Sequence, residues 1–324
     1  MQEHTSGYDC PRCSRNYRRL AGLPDLRVQP PGSFDVAKDL YFAELLQQRE
    51  QQLTFQELLA YYYTLNPPAN ERLHGQHMAH FEVEGEQAAA AIAELAESRS
   101  CSGTEPLLDV GCGLGQYLRA GLARFKVVVG IDLSLAQLVL ARKHLEEAGQ
   151  TVLLAAAQSE HLPFPVSAFG AAVAADSLEH VADAATAVRE VSRVLMPGAG
   201  FYVSTPNRFS LTPEPHVGIW GLGYWPRSLA TWHVRNTLNI RYDDIRLFSF
   251  LRLQRLLRLS FEGQCHVRLP RIGRREAQSF SPRKRGWARL YEAVRAIPLL
   301  RIGLYIVVPY FQAICVKRSA PQAD

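Results

Sequence analysis

The stretch 107-LLDVGCGLGQYL-118 runs from an apolar segment straight into a glycine-rich turn, with an aspartate two residues before the first glycine. In an open parallel sheet the ligand sits at the carboxyl ends of the strands, and the first strand-to-helix turn is glycine-rich so that backbone can approach it. Here that turn is Gly111-Cys112-Gly113-Leu114-Gly115. A dinucleotide fingerprint, G-x-G-x-x-G, fails because Gln116 stands where the third glycine belongs, and a phosphate-cradling loop fails because no Lys-Ser/Thr pair follows.

Outward from the turn, residues 106–205 alternate short apolar runs with longer amphipathic ones: PLLDV, GQYLRAGLARF, KVVVGIDL, SLAQLVLARKHLEEAG, TVLLAAA, AAVAADSL, AATAVREVSRVL, GFYVST. Strand and helix in alternation predict an α/β fold, a parallel sheet with helices on both faces. Gly149 and Pro197-Gly198 mark helix ends. Before this region, residues 31–100 carry apolar positions at helical spacing, as in 43-AELLQQREQQLTFQELLAYYY-63, and predict a helical lead-in broken at 66-NPPA-69 and 105-EPL-107. After Asn207 come a Pro/Trp/Gly-rich loop over 207–240, an expected helix over 243–259, a strand in CHVRLP, a basic insert over 271–308 and a last strand near 310–318.

Asp109 narrows the ligand. A carboxylate beside the turn repels a pyrophosphate and attracts a cation such as an ammonium or sulfonium. The next strand ends in 130-GIDLS-134, which places Asp132 to accept both hydroxyls of a ribose. Adenosine with a positively charged tail is S-adenosyl-L-methionine.

With these residues in view, D-V-G-C-G-L-G and the later G-I-D resemble the class I S-adenosylmethionine-dependent methyltransferases, most closely the small-molecule branch that contains the quinone-biosynthesis enzymes. The likeness continues through 160-EHLPFPVSAFG-170, similar to the family's E-x-LPF-x-x-x-SFD, through 176-DSLEHVAD-183, and through 190-EVSRVLMPGAG-200, similar to E-x-x-RVLKPGG. Four ordered motifs in about a hundred residues are far more specific than a lone glycine loop. The resemblance implies a Rossmann-like, mostly parallel seven-stranded sheet and a cofactor site of Asp109, Gly111, Cys112, Gly113, Gly115, Asp132, Leu133, Gln158, Ser159 and Asp176. It also marks two departures. Gln158 replaces the acidic residue that accepts from the adenine amino group, a bond an amide oxygen can also accept. Gly170 replaces the aspartate of SFD.

The methyl group of such a cofactor is already electrophilic, so a protein must chiefly align the reactants; a hydroxyl or acidic carbon also profits from a general base, for which histidine is suited. His180, beside Glu179 at the cleft mouth, is the first candidate, followed by His216 and His233 in the loop where the family builds its acceptor pocket. Backbone bonding or helix capping ranks ahead of catalysis for any single histidine, and Trp220, Tyr224 and Trp225 are explained by a packed lid. Asn66-Pro67-Pro68 resembles the N/D-P-P-Y of amino-group methyltransferases but precedes the first strand of the sheet, and carries no catalytic meaning.

At the amino terminus, 8-YDCPRCSRNYRRLAGLPDLR-27 resembles the short zinc-ribbon-like heads found before some methyltransferase domains, and that of a ribosomal-RNA guanine methyltransferase family. Cys10 and Cys13 have zinc-knuckle spacing, but no second C-x-x-C exists to complete four ligands. His4 could supply a third ligand, and His74, His77 and His80, spaced by three, could complete a site. A degenerate, metal-free ribbon ranks ahead of zinc, and redox chemistry ranks last. The organisation read is thus a head at 1–30, a lead-in or lid at 31–100 and a cofactor-binding domain at 101–324.

The 324-residue chain is 47% hydrophobic and 21% charged, ordinary for a globular protein, and 36 Lys+Arg against 31 Asp+Glu, +5 overall, does not argue for nucleic acid. Six cysteines over this length do not form a secreted disulfide framework, and Met1-Gln2-Glu3-His4 lacks a signal-peptide start, so a cytoplasmic location is the default expectation. The stretch 297-IPLLRIGLYIVVPYFQAICV-316 is read as folded or membrane-surface sequence rather than a span. In 271–308 basic residues interleave with Trp287, Tyr291, Leu299, Leu300 and Tyr305, which suits an anionic membrane surface; a solvated helix packed on the core, or RNA contact, would show the same composition. The expected function is S-adenosylmethionine-dependent methyl transfer to oxygen or carbon of a small or lipid-linked metabolite. A ribosomal-RNA base methyltransferase and a non-catalytic cofactor-bound partner protein are the alternatives.

Overall fold

The run Leu107–Val110 forms strand β5, buried at all four positions, as an apolar run with helices on both sides of its sheet must be. A computed structural model describes residues 2–4, 7–11, 13–67, 71–98, 104–262, 264–273, 277–278 and 280–318; the side chains of 2–4, 71–80, 82 and 83 lie outside it. Strand β5 pairs in parallel with β6 (Val128–Asp132) on one edge and β8 (Phe169–Ala175) on the other. Beyond them lie β7 (Leu153–Ala156) and β9 (Leu195–Pro206), also parallel, then β11 (Tyr310–Val316), antiparallel to β9, and β10 (Cys265–Arg268), antiparallel to β11. Among the described residues this is a seven-stranded, mostly parallel sheet of order β10-β11-β9-β8-β5-β6-β7. The alternation in the sequence is met.

Two apolar layers cover the sheet. On one face Leu107 and Val128 meet α1 (Val36–Arg49), α2 (Phe55–Leu65), α3 (Glu71–Ser98), α4 (Gln116–Gly121) and α5 (Leu135–Glu147) through Leu46, Leu59, Leu95, Leu118 and Leu138. On the other, Leu108 and Val110 meet α6 (Ala184–Val194) and α8 (Phe250–Ser260) through Val191 and Leu257. The lead-in is helical, and Asn66-Pro67 separates α2 from α3. Helix α8 begins only at Phe250; upstream of it, Arg246 is spent on the carbonyls of Val181 and Ala182 at 3.0 and 2.6 Å, and its N–H on Glu179 O at 2.7 Å.

The head is an antiparallel sheet of β1 (Gln2–His4), β2 (Gly7–Asp9), β3 (Asn16–Leu20) and β4 (Leu23–Pro24). Its exit strand covers the open edge of the large sheet: Asp25 bridges in parallel to Ala156, and Leu26 N donates to Ala156 O at 2.7 Å. An unpaired edge is thereby closed within the chain. At the opposite edge Cys265 and Cys315, directly opposed in the antiparallel pair, form a disulfide, one bridge where the cysteine count alone argued against a framework.

Helix α7 (Arg227–Leu238) follows β9, and α9 (Pro282–Ala296) and α10 (Pro298–Val307) form a hairpin between β10 and β11. Neither hairpin helix has a fully buried residue. No helix among the described residues is long and apolar enough to cross a membrane.

Candidate functional site

The strand order reverses at β5, whose neighbours continue in opposite directions, and a crevice opens above its carboxyl end. The glycine turn leaves β5 at that point. Gly111, Gly113 and Gly115 have φ of +76°, +50° and +85°, conformations that cost other residues strain. A Cβ at Gly111 would also lie 2.6 Å from the Cβ of Ser177. The N–H groups of Gly111 and Cys112 donate to Ile131 O at 2.8 and 2.9 Å, which draws the turn onto the end of β6.

There Asp132 accepts from Gly113 N at 3.0 Å and Ser134 N at 2.8 Å. Asp109, 1% exposed, lies beneath the turn, and its Oδ2 has no partner among the described residues. Burial, then the charges of Asp132 and Glu84, push Asp109 well above the usual carboxylate range. A buried carboxylate oxygen without a partner is costly, and a cation brought alongside would favour the charged form.

A cavity of about 330 Å³ spans this crevice, walled by Gly111, Gly113, Asp132, Leu133 and Ser159 at one end and by Asp176 and His180 at the other. Of the predicted cofactor residues, Asp109, Cys112 and Gly115 do not line it: Asp109 lies below, Cys112 is buried, and Gly115 starts α4. Gln158 is in the wall, but its amide faces the head. Its Oε1 accepts from Val28 N and Gln29 N at 3.0 and 2.8 Å, and its Nε2 donates to Gln29 O. Both lone pairs of the amide oxygen are spent, so accepting from an adenine amino group requires Gln158 to release the head.

The residues of 176-DSLEHVAD-183 shape the other end. Asp176 has φ of +46°, tolerable for aspartate at a turn, and Ser204 Oγ donates to its Oδ1 at 3.1 Å. A 3₁₀ turn over Leu178–His180 then buries Glu179 completely and turns His180 to the rim. From the loop after β9, His216 brings its Nε2 to 3.2 Å from His180 Nε2 and 3.9 Å from Glu179 Oε1. On its far side His216 Nδ1 donates to Glu214 Oε1, while the N–H groups of His216 and Val217 bond Glu214 Oε2 at 3.0 and 2.9 Å.

Burial opposes charge on His216, yet its bond to Glu214 and the carboxylates of Glu214, Glu179 and Asp176 outweigh that and raise its pKa. Burial, with Asp176 adding repulsion, lifts Glu179 to about 8. His180 faces solvent on one side, but loss of water around the rest of its ring, then the nearby His216, push it down to about 4. Glu84, from α3, is lifted to about 7 by burial and by Asp176. The mouth of the cleft thus gathers carboxylates and imidazoles of opposed tendencies, an arrangement common where protons move.

His233 does not join them; on α7 it meets the Trp225 ring edge-on at 5.2 Å. The aromatic loop residues are pinned within their own loop and do not line the cavity: Trp220 Nε1 donates to Leu211 O at 3.0 Å and Tyr224 OH to Phe209 O at 2.6 Å. At the head, Cys10 and Cys13 have no third ligand within range among the described residues, and the side chains of His4, His74, His77 and His80 lie outside them. Gly170, in place of the family aspartate, adjoins Glu105, whose Cβ would lie 2.5 Å from a Cβ there. Sequence reading missed Glu214 and Glu84. Glu214 had a signal, an acid two residues before a loop histidine, whereas Glu84 had none.

Residues 108–203 match the family model described as "Methyltransferase domain". A ubiquinone biosynthesis O-methyltransferase of Pseudomonas paraeruginosa is 37% identical over 106 residues, which are 32% of this chain and 44% of that protein; the chain thus spans less than half the length of such relatives. Among solved structures, YcgJ of Bacillus subtilis aligns over 71% of this chain and 99% of its own, with 18% identity and a TM-score of 0.43. Phosphoethanolamine N-methyltransferase 2 of Haemonchus contortus aligns over 71% and 52%, with 15% identity and a TM-score of 0.47. The chain is therefore built around a class I S-adenosylmethionine-dependent methyltransferase domain at residues 108–203.

Proposed function

We propose that the chain transfers a methyl group from S-adenosylmethionine to a hydroxyl oxygen of a small or lipid-linked metabolite. The observation that carries this reading is one cavity with two unlike ends, Asp132 and the Gly111 turn at one and His180, paired with His216, at the other. When bound, the cofactor supplies an electrophilic methyl on a positively charged sulfur. Gly111 and Gly113 would admit it, Asp132 would accept its ribose hydroxyls, and Asp109 would lend negative charge from below. Leu133 and Ser159 would flank the nucleoside.

At the other end Glu179, His180 and His216 are where an acceptor hydroxyl would lose its proton. The walls hold the acceptor against the cofactor and exclude water, and such alignment contributes up to ~7–11 kcal/mol in the best cases. The O-methyltransferase name of the 37% identical relative supports oxygen. A lipid tail is favoured by the hairpin. Leu299, Ile302 and Ile306 are 81%, 65% and 59% exposed, and Arg283, Lys284, Arg285, Arg289 and Arg301 are exposed around them. The hairpin is tied to the acceptor loop: Asn207 Nδ2 donates to Ile306 O and Val308 O at 2.8 Å, and Leu211 N to Val307 O at 3.2 Å.

The test is incubation with methyl-labelled cofactor and fractionated cell extract. Label in the organic-solvent fraction or in small aqueous molecules supports the reading. Label confined to RNA would replace it with an RNA methyltransferase, and no label anywhere with a non-catalytic partner protein.

A further inference from the structure

Glu179 Oε1 is fully buried and has no hydrogen-bond partner among the described residues. It faces His216 Nε2 at 3.9 Å, which in turn faces His180 Nε2 at 3.2 Å, and the three ligand atoms all lie within 4.8 Å of one another. One proton satisfies the two nitrogens and leaves the carboxylate oxygen orphaned, at a cost. A cation among them satisfies all three. Adjacent ligands on a metal bound at about 2.0–2.2 Å are separated by roughly 3–3.5 Å, a range the two nitrogens already meet at 3.2 Å and into which the carboxylate oxygen, 3.9 Å from His216 Nε2, would be drawn on binding.

The surrounding groups point the same way. Metal-bound histidines characteristically donate their other ring N–H to a carboxylate, which fixes the ring and strengthens the ligand. His216 does so to Glu214, whose second oxygen is held by two backbone N–H groups. Glu179 is fixed likewise, its Oε2 accepting from Thr205 Oγ1 at 2.8 Å. His180 lines the cavity, so the open positions of such an ion face the space where an acceptor would lie. Two imidazoles and one carboxylate suit a first-row divalent cation better than calcium, which takes oxygen ligands.

We propose that Glu179, His180 and His216 bind one divalent transition-metal cation, with Glu214 and Thr205 as positioning residues. The role given to it rests on the methyl-transfer reading above: an acceptor hydroxyl on an open position releases its proton to water at the cleft mouth. Its oxygen then forms the bond to the methyl carbon as the carbon–sulfur bond breaks, and the sulfur keeps that electron pair.

Full-length protein stripped with a chelator is titrated with Mn2+, free ion being followed by electron paramagnetic resonance. One equivalent should bind, and His216→Ala and Glu179→Gln should each weaken it at least about ten-fold, with Glu214→Gln about 10–100-fold weaker. Each variant is checked for folding by its retained binding of S-adenosylhomocysteine. No stoichiometric Mn2+ binding by the parent protein, or parent-like binding by folded His216→Ala and Glu179→Gln, overturns the proposal. Binding needs no methyl acceptor, so a protein that binds Mn2+ but transfers no methyl upholds the metal site while the activity reading fails. Undiminished transfer by stripped protein that binds no Mn2+ does the reverse.

Discussion

Asp39 accepts the hydroxyl hydrogen of Ser134 at 2.6 Å, joining the first helix of the lead-in to the turn that carries Asp132. The same carboxylate accepts Leu135 N at 2.9 Å and Ala136 N at 3.3 Å, an anion at the amino end of α5, where the helix dipole favours it. Behind it Arg27, its side chain 2% exposed, donates to Asp39 at 3.0 Å, to Leu133 O at 3.0 Å and to Asp25 at 2.7 Å. Head, lead-in and cofactor loop therefore meet on one buried ion cluster.

Asp39→Ala leaves Arg27 with part of its charge uncompensated in the interior. Removing one partner of a buried pair costs about 3–5 kcal/mol, so chemical denaturation should show a loss of that order. Cofactor affinity should fall with it, because Leu133 and Ser134 lose their anchor. A loss under about 1 kcal/mol would mean that the pair behaves as a surface ion pair.

Acid should weaken the protein through His144. Burial lowers its pKa below the ordinary 6.5, with Arg119 acting in the same direction and the bond to Leu114 O opposing. Its Nδ1 donates to Leu114 O at 2.8 Å, and its ring stacks on Phe55 at 4.8 Å. A group whose folded pKa is depressed contributes stability that is complete above the unfolded value, about 6.5, and lost as pH falls through the folded one. Melting temperatures taken downward from pH 7 should fall, and His144→Gln should flatten that slope. An unchanged slope in the variant would assign the acid sensitivity to other groups.

The hairpin should bring the protein to anionic vesicles. Co-sedimentation with vesicles containing phosphatidylserine should decline with salt, because each well-placed basic residue contributes about 1 kcal/mol of screened attraction. Leu299→Asp combined with Ile302→Asp should abolish it without lowering the melting temperature, since both residues are exposed. Equal binding to neutral vesicles, or binding by the double variant, would rule out this surface.

Much of the fold was legible because periodicity reports local conformation: β5, α5 and β8 follow directly from runs such as LLDV and LAQLVLARKHLEE. The glycine turn and Asp132 were legible for the same reason, their spacing along one chain segment being the geometry itself. What stayed hidden depends on distant segments meeting. Gln158 is turned away by backbone about 130 positions earlier. Cys265 and Cys315 face each other only through an antiparallel register that strand order does not give. Helix α8 starts at its Ser249 cap, whose hydroxyl accepts from Arg252 N, while Arg246 upstream is bonded to the loop after β8. His180 was readable as a residue of the cleft, but its meeting with His216 and Glu214 was not.

The account turns on the crevice above β5 as the nucleoside site. Isothermal calorimetry with S-adenosylhomocysteine on the full-length protein tests this most directly, alongside Asp132→Ala and Gly111→Ala. The parent protein should bind one equivalent, and both variants, checked to be folded, should lose at least about two orders of magnitude in affinity, roughly 2.7 kcal/mol. Undiminished binding by folded Asp132→Ala and Gly111→Ala would place the ligand elsewhere and contradict the account.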